Sequence, residues 1–283
     1  MNNSRLFFIF AEDISMDWHI IHIDETDSTN RWLKENKPEG SGDGLVAVWA
    51  DYQTAGRGCG SNMWESERGK NLLFSIRWCP EDFPAISQFQ ISQAVSLAIT
   101  DVLVRYIDAV EIKWPNDIYY QDKKLGGILI ENVLHGDKIK ESIIGIGLNV
   151  NQQHFHSDAP NPVSLYQILG DELDCERLLH DILSAIENEF QNLPYADSRQ
   201  LKLRYMDRLY WKTGLHWFRD TVTGEEINAV IADVRDDGKL VIEHETYNGI
   251  IKCDYRFKEI EFLINGSIEE EMLRAMILKA REK

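Results

Sequence analysis

The order of apolar and polar positions lays out most of the chain before any chemistry is considered. Residues 18–23 read as a strand. Asp27, Ser28, Thr29 and Asn30 supply helix-capping side chains ahead of a short helix through Lys34. A loop of glycine and proline at 38–44 leads into an almost unbroken apolar run at 45–50, the mark of a buried strand. Residues 52–69 lose apolar periodicity and gain glycine, which predicts a long loop of the kind that carries function. Residues 72–78 alternate like a strand. From 86 to 107, Phe89, Val95, Ala98, Val102 and Ile107 recur at helical spacing and predict an amphipathic helix. Strand-like runs follow at 110–114, 128–134 and 143–150. This order, with helices on one side, predicts a mixed α+β sandwich.

Helical spacing returns at 175–190 and 200–210. After Trp211 the texture changes to short strand-like runs separated by Thr223-Gly224, Asp236-Asp237-Gly238 and Asn248-Gly249. Asp-Gly and Asn-Gly are strong hairpin markers because both residues tolerate positive φ. Residues 212–264 therefore predict a small β-barrel, and 268–283 a closing helix. The expected organisation is an extension at 1–17, a large unit at 18–211, the barrel at 212–264 and a C-terminal helix within 265–283. The apolar stretch at 6–11 is too short for a signal-peptide core, and no run is long enough to span a membrane.

Composition narrows the function. A length of 283 residues fits one large domain or one large and one small. The net charge of −17 argues against direct nucleic-acid binding, which needs clustered Lys and Arg. Cys59, Cys79, Cys175 and Cys253 form neither a C-x-x-C pair nor a zinc-spaced cluster with histidine, and read as reduced thiols of a cytoplasmic protein. His154 and His156, near Asp158, read as a solvated loop rather than a metal pair.

Three polar segments carry candidate chemistry. Gln53 through Trp64 is rich in glycine, whose backbone N–H groups can form an anion-binding nest, and Arg57 adds a fork of donors. Its spacing is neither a dinucleotide fingerprint nor a Walker loop. Pro115-Asn116-Asp117 is a turn sequence, and Asp117 is also a suitable oxygen ligand for magnesium beside the cation Lys113. Lys123-Lys124-Leu125-Gly126-Gly127 sets a lysine beside bare backbone at a strand start. No nucleophile motif is recognisable, which leaves a site that positions a phosphate-bearing ligand and neutralises its charge.

The order and wording of these segments resemble the biotin protein ligases. The family's loop reads G-R-G-R-x-G-R-x-W; this chain keeps Gly56, Arg57, Gly58 and Trp64, and departs at Cys59, Ser61 and Asn62. K-W-P-N-D stands unchanged at Lys113 to Asp117, D-S-T-N at Asp27 to Asn30, and G-x-G-x-N at Gly145, Gly147 and Asn149. The resemblance covers about 18–264. It implies a fold like the class II synthetases and biotin–lipoate ligases, with an SH3-like C-terminal barrel. It implies an ATP-dependent, AMP-forming enzyme that joins biotin to AMP and then to a lysine of a biotin carboxyl carrier protein.

By the same resemblance Lys124, Arg57 and Lys113 act on the reacting carboxylate and phosphates, Asp117 holds magnesium (Mg2+), and Gly127 lies against the biotin rings. Ser28, Thr29, Asn30 and Gln53 meet the ureido group. Gly56, Gly58, Cys59, Trp64, Asn116, Gly145, Gly147 and Asn149 complete the biotin and adenylate pocket. Loss of the loop arginines at Cys59 and Asn62 implies a weaker hold on the acyl-adenylate. Only 27 residues precede Ser28, too few for three helices of about 11–12 residues each. The expected type is therefore the monofunctional one without a DNA-binding domain. Family members pair through sheet edges, so a homodimer is a further expectation. Two alternatives stand beside this reading. A lipoate ligase is expected to carry an R-R-x-S-G-G-G-type run, absent here; a non-catalytic biotin- or nucleotide-binding regulator has no need of Lys124 with Asp117.

Overall fold

The computed structural model describes residues 18–36, 45–60, 62–156, 161–194, 197–264 and 266. The predicted N-terminal extension, the loop at 38–44, Ser61, Asp158 and the closing helix lie outside them. The elements are β1 His19–Thr26, α1 Thr29–Glu35, β2 Val46–Gln53, β3 Leu72–Trp78, β4 Phe83–Pro84, α2 Gln88–Leu103, β5 Val110–Lys113, β6 Asp117–Tyr120, β7 Lys123–His135 and β8 Lys138–Leu148. They continue with α3 Leu165–Leu169, α4 Cys175–Asn192, α5 Ser198–Asp207, β9 His216–Asp220, β10 Glu226–Val234, β11 Leu240–Thr246, β12 Gly249–Tyr255 and β13 Ile260–Phe262.

A mixed sheet in the order β1-β2-β3-β8-β7-β6-β5 forms the body, with β4 paired to the start of β8. Only β1 and β2 run parallel; the other pairs are antiparallel. Strand β3 lies near the middle and is buried from Leu72 through Ile76 without alternation, because both faces of the sheet are covered there. This corrects the expectation of helices on one side only. Leu33 of α1 packs on Val46, Val48 and Ile143, while Ala47, Phe74 and Ile144 point the opposite way into a larger core with α2 and α4. Burying Leu33 alone contributes about 2 kcal/mol.

Helix α2 is also not the two-faced helix expected. It is buried continuously from Ile91 to Thr100, being enclosed by the sheet, α4 and α5. Helix α4 keeps its amphipathic character, burying Leu178, Leu179, Ile182, Leu183, Ile186 and Phe190. Three elements escaped prediction, the shortest being β4. Strand β6 begins at Asp117, which the turn reading had absorbed. Helix α3 is one short turn, started by a reciprocal cap between Ser164 and Gln167 and ended at Gly170 with φ 82°.

The C-terminal strands form a second, antiparallel sheet ordered β12-β11-β10-β9-β13. The predicted turns hold: Gly224, Gly238 and Gly249 all take positive φ. No pairing closes β12 onto β13 among the described residues. The second sheet is tied to the first where Trp114 Nε1 donates to the Gly238 carbonyl at 2.9 Å. The Lys113 ammonium also lies 4.7 Å from the centre of the Phe262 ring.

Candidate functional site

On its face of the sheet, α1 lies over β2, β3 and β8. Across the remainder runs a cavity of about 600 Å3, from the end of β2 to β5. Its floor is bare backbone. A Cβ on Gly147 would stand 2.5 Å from the Trp64 indole, and one on Gly145 would overlap the Asn30 side-chain carbonyl. Residues without side chains are what allow Asn30 and Trp64 to lie directly on β8.

At the β2 end the polar groups satisfy one another. Gln53 Oε1 accepts from the Thr29 N–H at 2.8 Å and from its hydroxyl at 3.1 Å. Ser75 Oγ donates to Asn30 Oδ1 at 2.6 Å and lies the same distance from Thr29 Oγ1. Asn30 Nδ2 donates onward to Glu131 at 2.8 Å. Glu131 also holds Lys34 at 2.7 Å and Arg57 at 2.9 Å. Burial raises the Glu131 pKa, but its three hydrogen bonds outweigh burial and hold it below the ordinary value. Ser28 occupies the N-cap of α1, yet its side chain makes no capping hydrogen bond, contrary to the sequence pattern; the side chain lines the cavity instead.

The described residues of the glycine loop turn back on themselves. Arg57 bridges to Met63, Gly58 N–H donates to the Asn62 carbonyl at 2.8 Å, and Trp64 N–H to the Gly56 carbonyl at 3.0 Å. Those two donors are spent within the loop. Burial pushes the Cys59 thiol above its ordinary pKa, with the Lys258 charge pulling part of it back.

The β5–β7 end carries charge. Lys113 and Asp117 face each other across the turn at 114–116. Asn116 Nδ2 donates to the Ile128 carbonyl at 2.5 Å and fastens this turn to β7. Strict alternation would turn Lys124 away from Gly127. A register shift makes Leu125 an extra residue: Tyr119 pairs with Lys124 and Ile118 with Gly126. This bulge sends Leu125 into the core and brings Lys124 onto the cavity face. There Lys124 Nζ meets Asp117 Oδ1 at 2.7 Å. Burial pushes Lys113 below the ordinary lysine pKa, partly opposed by Asp117. Beyond them Asn149 donates through Nδ2 to the Val163 carbonyl at 3.1 Å, while its buried Oδ1 has no partner among the described residues.

Every predicted site residue lines this one cavity except Gly56, which stands behind it against the Trp64 carbonyl. Sequence reasoning missed Glu131, whose signal was a lone charge inside an apolar strand run. It also missed Tyr119 and Phe257, which reach the cavity from β6 and from the turn after β12.

Fold and sequence place the chain in one class. A profile of the biotin/lipoate A/B protein ligase family matches residues 23–149. Within that class, the chain is 31% identical over 266 residues to the bifunctional ligase/repressor BirA of Bacillus spizizenii, covering 89% of this chain and 77% of that protein. It is 27% identical over 226 residues to the biotin–[acetyl-CoA-carboxylase] ligase of Mycobacterium tuberculosis, covering 78% and 82%. The biotin protein ligase from Aquifex aeolicus, solved in complex with biotin and ATP, matches with a TM-score of 0.69 and 27% identity over 86% of this chain and 97% of that one. The chain belongs to the biotin protein ligase family and is a ligase.

Proposed function

We propose that this enzyme activates biotin with ATP to biotinyl-AMP and transfers biotin to a lysine of a biotin carboxyl carrier protein. The observation that carries the reading is that Arg57, Asp117 and Lys124 line the same cavity as Ser28, Thr29 and Gln53. A neutral, hydrogen-bonding end suits the ureido ring, and a charged end suits a carboxylate meeting a phosphate.

In the first step a biotin carboxylate oxygen bonds to the α-phosphorus of ATP, and the bond to the β-phosphate bridging oxygen breaks to release pyrophosphate. In the second step the carrier lysine's amine bonds to the acyl carbon, AMP leaves with the bond electrons, and the amine gives up a proton. No enzyme nucleophile is required; the side chains orient and neutralise. Lys124 is set to move from Asp117 to the biotin carboxylate and α-phosphate. Arg57 is held at the cavity wall by Glu131. Lys113 raises the positive potential at the phosphates. Asn149 Oδ1 offers an acceptor suited to the adenine amino group.

Magnesium fits this donor set in one way. Among the described residues no three His, Cys, Asp or Glu side chains come together. The single carboxylate of Asp117 suits an ion that takes its other ligands from water and phosphate oxygens. Bound there it offsets phosphate charge. The proposed division is a catalytic unit at 18–211 and an SH3-like unit at 212–264, in a cytoplasmic enzyme. Pyrophosphate release with ATP and magnesium tests the activity: release with biotin and not with lipoate is expected, and release with lipoate alone would move the assignment to the lipoate ligases.

A further inference from the structure

Two walls of the cavity stand on loops rather than on strands. Trp64 and Glu65 belong to the exit of the glycine loop, and Phe155 to the turn that follows β8. All three line the cavity together with Asn149. Behind them lies Gln152, which is 1% exposed and does not reach the cavity. Its Oε1 accepts from Asn71 Nδ2 at 2.5 Å and from the Glu67 N–H at 3.1 Å. Its Nε2 donates to the His154 carbonyl at 2.8 Å. Its own carbonyl accepts at 2.6 Å from Ser164 Oγ, the side chain that caps α3. On the other side of Phe155, the His156 N–H donates to Glu65 Oε1 at 2.7 Å. Phe155 is thus held through the residue before it and the residue after it, each tied to the exit of the glycine loop.

The position asks for an acceptor on one side and a donor on the other, and a carboxamide carries both on one plane. The partners decide which end is which, because two N–H donors face Oε1 and a carbonyl faces Nε2. The base from which Gln152 projects is also closed. Asn71 is 2% exposed, and its Oδ1 accepts from the Val150 N–H at 3.0 Å. The Asn151 N–H donates to the Lys70 carbonyl at 2.7 Å. A buried polar network satisfied in this way favours one arrangement of the loops it joins.

We propose that Gln152 is a positioning residue for adenylation: its buried amide sets the Phe155 turn against the exit of the glycine loop, so that both present their walls to the nucleotide. The inference rests on the ligase reading and extends it to a residue that touches no substrate. It separates the nucleotide walls from the β2 end, whose groups are held by Gln53, Ser75 and Glu131 instead.

Nucleotide binding by calorimetry and biotinyl-AMP formation, both on the full chain, test it. Gln152→Met keeps the length and removes every side-chain hydrogen bond. The KM for ATP and the dissociation constant of AMP are expected to rise about tenfold, with biotin affinity at the wild-type value. Gln152→Glu keeps the oxygen that faces Asn71 and Glu67, whose two N–H donors hold the carboxyl ionised at pH 8, and sets a second oxygen against the His154 carbonyl. It should show the same nucleotide defect, and it serves where the Met variant fails to fold. Phe155→Ala should reproduce the loss, and a Gln152 change added to it should cost little more, since residues that act through one another are not additive. A folded Gln152 variant or a Phe155→Ala enzyme with wild-type nucleotide affinity overturns the proposal, as do losses that multiply in the double variant. If biotinyl-AMP forms while the Gln152 variants bind nucleotide normally, the ligase reading stands and the positioning role falls. If nucleotide binding depends on Gln152 and Phe155 but no biotinyl-AMP forms, the positioning role stands and the ligase reading falls.

Discussion

The two ends of the main cavity are built on different terms. At the β2 end, Thr29, Asn30, Gln53, Ser75 and Glu131 form one chain of hydrogen bonds, buried at Thr29, Asn30 and Ser75, and each group's geometry is set by the next. At the β5–β7 end, Lys113, Asp117 and Lys124 sit half-buried with one strong pairing among them. The first presents groups already fixed by one another's hydrogen bonds, suited to reading the shape of a ring. The second holds charge in reserve, because an ion pair between protein groups can be exchanged for one with substrate at little net cost. Damage at the first end should therefore show in stability and affinity, and damage at the second in rate.

The largest effect is expected at the charged end. Lys124→Ala should slow biotinyl-AMP formation by about a hundredfold or more while leaving the thermal transition near that of wild type, as rapid-quench kinetics and calorimetry would show. At the neutral end the pattern inverts. Gly145→Ala drives a Cβ into Asn30 Oδ1 and breaks the bond from Ser75. A loss of about 2 kcal/mol in stability is expected, with biotin binding weakened in parallel, since a buried polar group loses its partner. A variant that bound biotin normally at unchanged Tm would show that the chain of hydrogen bonds is not what shapes this end.

Glu131 ties Arg57 of the glycine loop to the β2 end and supplies a pH test. Its folded pKa lies below the ordinary 4.5, so its contribution is fully present above that value and is lost as pH falls through the lower, folded pKa. Wild type should lose stability more steeply than Glu131→Gln in this acid range, read as Tm against pH. Parallel curves would contradict the pairing with Lys34, Asn30 and Arg57. The smallest effect is expected at Lys113. Burial lowers its pKa, so the native state binds its proton less firmly than the unfolded chain and stability rises as pH climbs toward 10.5. Lys113→Met should have a higher Tm than wild type at neutral pH, the gap narrowing in alkali, and a reduced adenylation rate. A lower Tm at neutral pH would refute a cost of burial at this site.

What the sequence made legible follows from how far each feature depends on distant residues. Strand β3 was predictable from the short apolar run at Leu72 to Trp78, although its burial does not alternate, and helix α4 because its burial period is written locally in Leu178 to Phe190. Gly224, Gly238 and Gly249 announced their turns through the positive φ that glycine accepts. The segments at 56–64, 113–117 and 123–127 were legible as chemistry, and they do meet in one cavity. Not legible was the Leu125 bulge, which exists only because β6 and β7 pair with a shifted register. The enclosure of α2 was hidden for the same reason, since its outer neighbours α4 and α5 lie far along the chain. Nor could spacing reveal that Glu131 would claim Arg57 from 74 positions away, or that Lys258 would cross to Gly60.

The most direct measurement mixes the enzyme with biotin, magnesium and radiolabelled ATP in the absence of any carrier and follows one turnover. The expected result is one equivalent each of biotinyl-AMP and pyrophosphate per active site for wild type, with Lys124→Ala forming almost none in the same time. Label appearing as ADP, label release that does not depend on biotin, or a Lys124→Ala enzyme running at the wild-type rate would contradict the assignment of this cavity to biotin activation.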